Sequence, residues 1–169
     1  MTSRAAESGS SVIETVVATA LLLIVLGGVA SMGIVAMTTT ENQGHLSARA
    51  TEYAQDKMEQ LLALAYGDIS SDTRVFPATD TGGTGLAVGG NSNPASPVAG
   101  YVDYLDRDGN LLTSSGTTAP ATWFYKRVWQ ITLPSTNLKQ ISVTVIVEST
   151  MGHTELQKTT VVALKTYPF

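Results

Sequence analysis

An α+β fold is what this sequence predicts: one long N-terminal helix packed on a small antiparallel β-sheet. Three observations carry the prediction. Residues 15–40 contain no charged side chain and are almost wholly Val, Ala, Leu, Ile, Gly, Met and Thr, which meets the roughly 20-residue length a helix needs to cross about 30 Å of hydrocarbon. Leu46, Ala50, Tyr53, Ala54, Met58, Leu61, Leu62 and Ala65 then recur at three- and four-residue steps, the pattern of a helix with one face to bury. From Tyr101 onward the apolar period falls to two, as in strands whose side chains alternate between faces.

The elements follow in chain order. Residues 1–9 form a short hydrophilic leader, 10–40 a hydrophobic helix of membrane grade, and 41–66 an amphipathic helix that continues it, because no proline or turn cluster separates the two. The expected single helix runs from Ser11 to Ala65. Gly27, Gly28 and Gly33 are soft points in it, each costing up to about 1 kcal/mol relative to alanine. Gly67 stops it, and residues 67–100, dense in Gly, Ser, Thr, Asn and Pro, are expected to form a long exposed loop. That length is unusual inside a compact domain unless the loop is functional or mobile.

Residues 101–169 make the sheet. Short strands are expected at 101–105 and 111–113 around a turn at 106–110. Longer strands at 123–133, 139–149 and 156–166 are joined by turns at 134–137 and 151–153, so neighbours are antiparallel and sequential. Ile141, Val143, Val145 and Val147 share one face, and Ser142, Thr144 and Ile146 the other. The apolar face is the one the amphipathic helix covers. Alternation puts Trp123, Tyr125 and Trp129 on one face, as core or subunit contact rather than a ligand platform.

Composition narrows the function classes. A formal net charge of −4 and a pI near 5.0, with ten scattered Lys and Arg, argue against a nucleic-acid partner, since phosphate binding needs a concentrated basic face. The chain has no cysteine, which removes disulfides, thiolate metal sites and cysteine nucleophiles together. His45 and His153 have no acid or nucleophile at motif spacing, and no nucleophile elbow, paired-carboxylate motif or phosphate loop is present, so the chain is not expected to be an enzyme. No cofactor is expected either. Asp103, Asp106 and Asp108 invite a calcium reading, because hard cations want clustered carboxylate oxygens. The stretch Asp106-Arg107-Asp108-Gly109 is only half of a calcium loop with no glutamate at its end, and a plain hairpin turn accounts for it.

Glu14 poses the sharpest question, a carboxylate at the mouth of an apolar run. A charge near a bilayer core costs roughly 2.5–3.5 kcal/mol on insertion scales, so such residues are normally paired. Two readings stand: a functional charge awaiting a partner, or a solvated first-turn acid of a plain anchor that favours the helix dipole. A secretory signal fits less well, because the apolar run extends to Met37, beyond the usual 7–15-residue signal core.

The residues Gly9-Ser10-Ser11-Val12-Ile13-Glu14 resemble the N-terminal signal of type IV pilins and type II secretion pseudopilins: a hydrophilic leader ending in Gly, a cut after it, and Glu as the fifth mature residue. Residues 102–110 and 125–131 are similar to minor pilins of the PilV-like type. The resemblance implies a structural subunit, inserted in the inner membrane as a precursor, cleaved between Gly9 and Ser10 by a prepilin peptidase and N-methylated. It implies assembly through the N-terminal helix on an inner-membrane platform with other pilin subunits, into an extracellular pilus or periplasmic pseudopilus. Before assembly the partner is the lipid bilayer. Glu14 would neutralise the new N-terminal ammonium, in its own subunit or a neighbouring one. The alternatives are a single-pass, membrane-anchored binding module that does not polymerise, and a secreted enzyme whose mature chain begins at Ser31.

Overall fold

The computed structural model describes residues 12–114, 116–148 and 158–167, without the side chains of Thr39 and Asn42. The chain divides into two compact units, Met1–Asn42 and Gln43–Phe169. One helix, α1, spans Val12–Ala63 and contributes to both. Its start and end lie within two residues of the sequence reading. The last turn tightens, with Leu64 N donating to Leu61 O at 3.3 Å, a usual way to satisfy terminal carbonyls.

The second unit, hereafter the head, is α1 from residue 43 onward on a six-stranded antiparallel sheet. The strands are β1 (Gly89–Gly90), β2 (Val102–Leu105), β3 (Leu111–Leu112), β4 (Tyr125–Ser135), β5 (Leu138–Val147) and β6 (Lys158–Thr166). Their order is β3-β2-β4-β5-β6, with β1 also paired to β4. β2 occupies the first half of β4, Val102 opposite Val128, and β1 the second half, Gly90 opposite Gln130. The antiparallel sheet and the sequential β4-β5-β6 run are therefore as expected, whereas β2 rather than β3 lies beside β4, and β1 is an addition. Two glycines gave it no alternating pattern to read. Gly90 is required there: its φ is +79°, and a Cβ would strike the Trp129 carbonyl and the Tyr101 ring.

Pro134 does not open the β4–β5 turn as expected. β4 continues through it to Ser135, and the ladder is irregular between Thr132 and Ser135, which accommodates a residue that cannot donate a ladder hydrogen bond. The turn itself is Thr136 and Asn137.

The core lies between α1 and one sheet face. Ala50, Ala54, Met58 and Leu61 of the helix meet Tyr125, Trp129, Ile131, Ile141, Val143, Val145 and Val147, all buried. The predicted apolar parity of β5 is thus the packed face. Trp123 departs from the expected alternation. β4 begins only at Tyr125, so Trp123 precedes the strand and packs on the opposite face with Val102, Tyr104 and Val128.

Residues 67–100 are more built than a free surface loop. The Asp68 carboxylate accepts from Ser70 N, Ser71 N and Ser71 Oγ. Backbone bonds from Gly83 to Ser70, Gly85 to Ser71 and Leu86 to Asp68 lace its two limbs together. Leu86 enters the main core with no exposed surface. Leu86→Ala is expected to lower head stability by about 2–5 kcal/mol, the usual cost of emptying a buried leucine site. Urea unfolding of the full chain in detergent micelles, followed by tryptophan fluorescence, checks it; a loss under about 0.5 kcal/mol would return the loop to a passive role.

The helix end is finished by the sheet. α1 carries no base in its last turn, yet Lys165 Nζ of β6 donates to Leu62 O at 2.6 Å, and Lys139 Nζ of β5 donates to Tyr66 O and Leu86 O, both at 2.7 Å. Lys165 thus satisfies a last-turn carbonyl at the negative end of the helix dipole, while Lys139 ties the segment just past the helix to the loop at Leu86.

Candidate functional site

In the first unit the site is the helix surface itself. Val12–Ala63 contains an 18-residue window of mean hydropathy 2.4, none of it buried. Val12, Leu21, Ile24, Val29, Met32 and Met37 are all exposed. By length and composition this segment can cross a membrane. Its hydroxyls suit such a setting: Thr19 donates to Thr15 O, Ser31 to Gly28 O, Thr38 to Val35 O and Thr40 to Ala36 O, at 2.7–3.0 Å. Side-chain donors satisfied by the helix's own carbonyls demand nothing of hydrocarbon. Glu14 stands exposed in the first turn, where an acid favours the helix dipole. Gly9 and Ser10 lie outside the described residues, as does His153.

In the head, the three aspartates of the calcium reading are not brought together. Among the described residues no group of three or more His, Cys, Asp or Glu could hold a metal ion. Asp106 organises its own turn, accepting from Asp108 N, Asn110 N and Asn110 Nδ2 at 2.8–3.0 Å. These bonds, from Asn110 first, hold its carboxyl below the ordinary value. Asp103 faces the other way, into the interface beneath α1.

There it belongs to a buried charge cluster. Arg127 of β4 grips Asp103 with two parallel bonds, Nε to Oδ1 at 2.7 Å and Nη2 to Oδ2 at 2.9 Å, the strong fork geometry of a guanidinium on a carboxylate. Lys57 of α1 places Nζ 2.8 Å from Asp103 Oδ2. Neither lysine nor aspartate has more than 2% of its side chain exposed. Lys57 Nζ also donates to the Thr73 carbonyl and to Gln60 Oε1, and sits 4.4 Å from the Trp129 ring centre, within cation–π range. Arg127 Nη1 reaches Asp56 Oδ2 at 3.2 Å on the more exposed helix flank.

Burial alone would raise the Asp103 carboxyl; the charges of Arg127 and Lys57, and their hydrogen bonds, outweigh it and hold that carboxyl low. Burial acts on Lys57 in the opposite sense and brings its ammonium down from 10.5 to about 8, against the pull of Asp103 and with help from the Arg127 charge.

Beside the cluster lies a cleft of about 250 Å³, lined by Asp72, Arg74, Val75, Asp103 and Leu111 among others. Arg74 closes on Asp72 with two bonds of 2.8 Å, so the polar groups of its rim are spent on each other. Comparison with protein-family models, with curated proteins and with solved structures returns no match to this chain.

Proposed function

We propose that this chain is a structural subunit of a type IV pilin-like filament, a pilus or a type II secretion-type pseudopilus, made as a membrane precursor and cut between Gly9 and Ser10. A minor-subunit role is the form that fits the resemblance of residues 102–110 and 125–131. The observation that carries the reading is the uncovered, uncharged stretch of α1 that begins beside Glu14 and runs unbroken into the helix that forms the head's core. A single helix serves as both membrane anchor and core element, so burying its free half against other copies would build a filament from the same surface that holds the precursor in lipid.

Glu14 supplies the direction. Cleavage before Ser10 would create an ammonium four residues from this carboxylate in sequence. Opposite charges at that spacing attract strongly in a low dielectric, although desolvation takes back much of the gain. A subunit alone in the bilayer leaves the acid poorly paired; docking among other helices pairs it and buries the apolar stripe, with Ala18, Ala20, Gly27, Gly28, Ala30 and Gly33 allowing close approach. The decisive measurement is the mature N-terminus, by mass spectrometry of protein from its native host. A chain beginning at Ser10, heavier by one methyl group, is the expected result. An intact Met1 or Thr2 start in a processing-competent cell overturns the proposal and leaves the membrane-anchored binding module.

A further inference from the structure

We propose that Lys57 is a proton-linked latch in the head: neutral, it leaves a charge-balanced Arg127–Asp103 pair under α1, and protonated, it puts a second cation on one fully buried carboxylate.

The geometry is lopsided in charge. Both Asp103 oxygens are already taken by Arg127 in a two-bond fork, and Oδ2 is shared with Lys57. The compensating carboxylate, Asp56, contacts Arg127 and has about half of its side chain in solvent. Among the described residues the charged groups that interact with Lys57 are Asp56 on α1, Asp103 on β2, Arg127 on β4, and Asp72 in the loop, whose carboxyl the Lys57 charge helps to hold low. Two buried cations against one buried carboxylate is a costly arrangement; burial of the ammonium first, with the Arg127 charge adding to it, brings Lys57 down to about 8 against the pull of Asp103.

The sign of the effect follows from linkage. The folded pKa lies below the unfolded one, so between about 8 and 10.5 the unfolded chain binds more protons and stability rises with pH. For the full chain in detergent micelles, the unfolding equilibrium constant is expected to fall about tenfold between pH 7 and pH 9 through this group alone. Urea unfolding at both pH values gives it as the difference between wild type and Lys57→Met, which keeps the Arg127–Asp103 pair intact. Should Lys57→Met not fold, lysine Cε resonances of the wild type report directly: one, displaced by the Trp129 ring, should titrate near pH 8. A pH response identical in wild type and variant, or lysine resonances that all titrate above pH 10, overturns the proposal.

Discussion

Asp103→Asn is expected to destabilise the head by about 3–5 kcal/mol, the cost of removing one partner from a buried ion pair. The substitution is nearly isosteric, so the loss is electrostatic rather than steric. It leaves Arg127 and Lys57, with at most 3% of either side chain exposed, facing each other with no buried carboxylate between them. The same reasoning predicts a recovery. Replacing all three members with apolar residues of similar volume, Lys57→Met, Asp103→Leu and Arg127→Met together, should restore most of the lost stability, because no charge then has to be desolvated. Urea midpoints of the two variants beside wild type are the measurement. A single-variant loss under about 1 kcal/mol, in the range of exposed ion pairs, would show that water reaches the cluster.

Glu14→Ala is expected to separate insertion from assembly. The variant keeps the uncharged stretch of α1, so its yield in the membrane fraction should match wild type. If the chain assembles as proposed, the variant's yield in the sheared filament fraction of the native host should fall by at least about tenfold, since a subunit unable to pair the N-terminal ammonium would gain less on docking, and a charge left unpaired in the apolar layer is worth roughly 2.5–3.5 kcal/mol on insertion scales. Immunoblots of the two fractions give the ratio. Equal recovery of variant and wild type in the filament fraction would make Glu14 a plain first-turn acid.

Much of the fold was legible because its signals are periodic. The uncharged run, the three- and four-residue steps through Leu61 and the alternation from Ile141 to Val147 each report an apolar face; the structure packs the last two against each other and leaves the first uncovered. What escaped was set by non-local geometry. β1 is two glycines whose place depends on the close approach of Trp129 and Tyr101. Trp123 lies two residues outside β4, so extrapolating the alternation assigned it to the wrong side. Pro134 is a turn residue by local chemistry, tolerated here inside a strand by an irregular ladder.

The charge cluster left a signal that apolar periodicity passes over. Lys57 falls three residues after Ala54 and four before Leu61, on the stripe to be buried, and Arg127 falls between Tyr125 and Trp129 on the inward parity of β4. Charged residues at core positions call for a partner, and Asp103 is the one acid on β2. The pattern shows that a partner is needed; only the register of Asp103 opposite Arg127 shows which.

Lys165, which caps α1, and Lys139, which holds the segment after it, bear on the order in which the chain becomes native. Leu62 emerges early in synthesis, but the base that caps its carbonyl lies 103 residues later, and the one for Tyr66 lies 73 residues later. A nascent chain therefore holds a helix whose C-terminal turn is frayed and whose apolar stripe is open until β5 and β6 arrive. Such a stripe is sticky for as long as it waits. Anchoring the first half of the same helix in a bilayer would shorten the search: it restricts the chain that the last strands must find, and it keeps the unfinished stripes of neighbouring chains from meeting freely in solution.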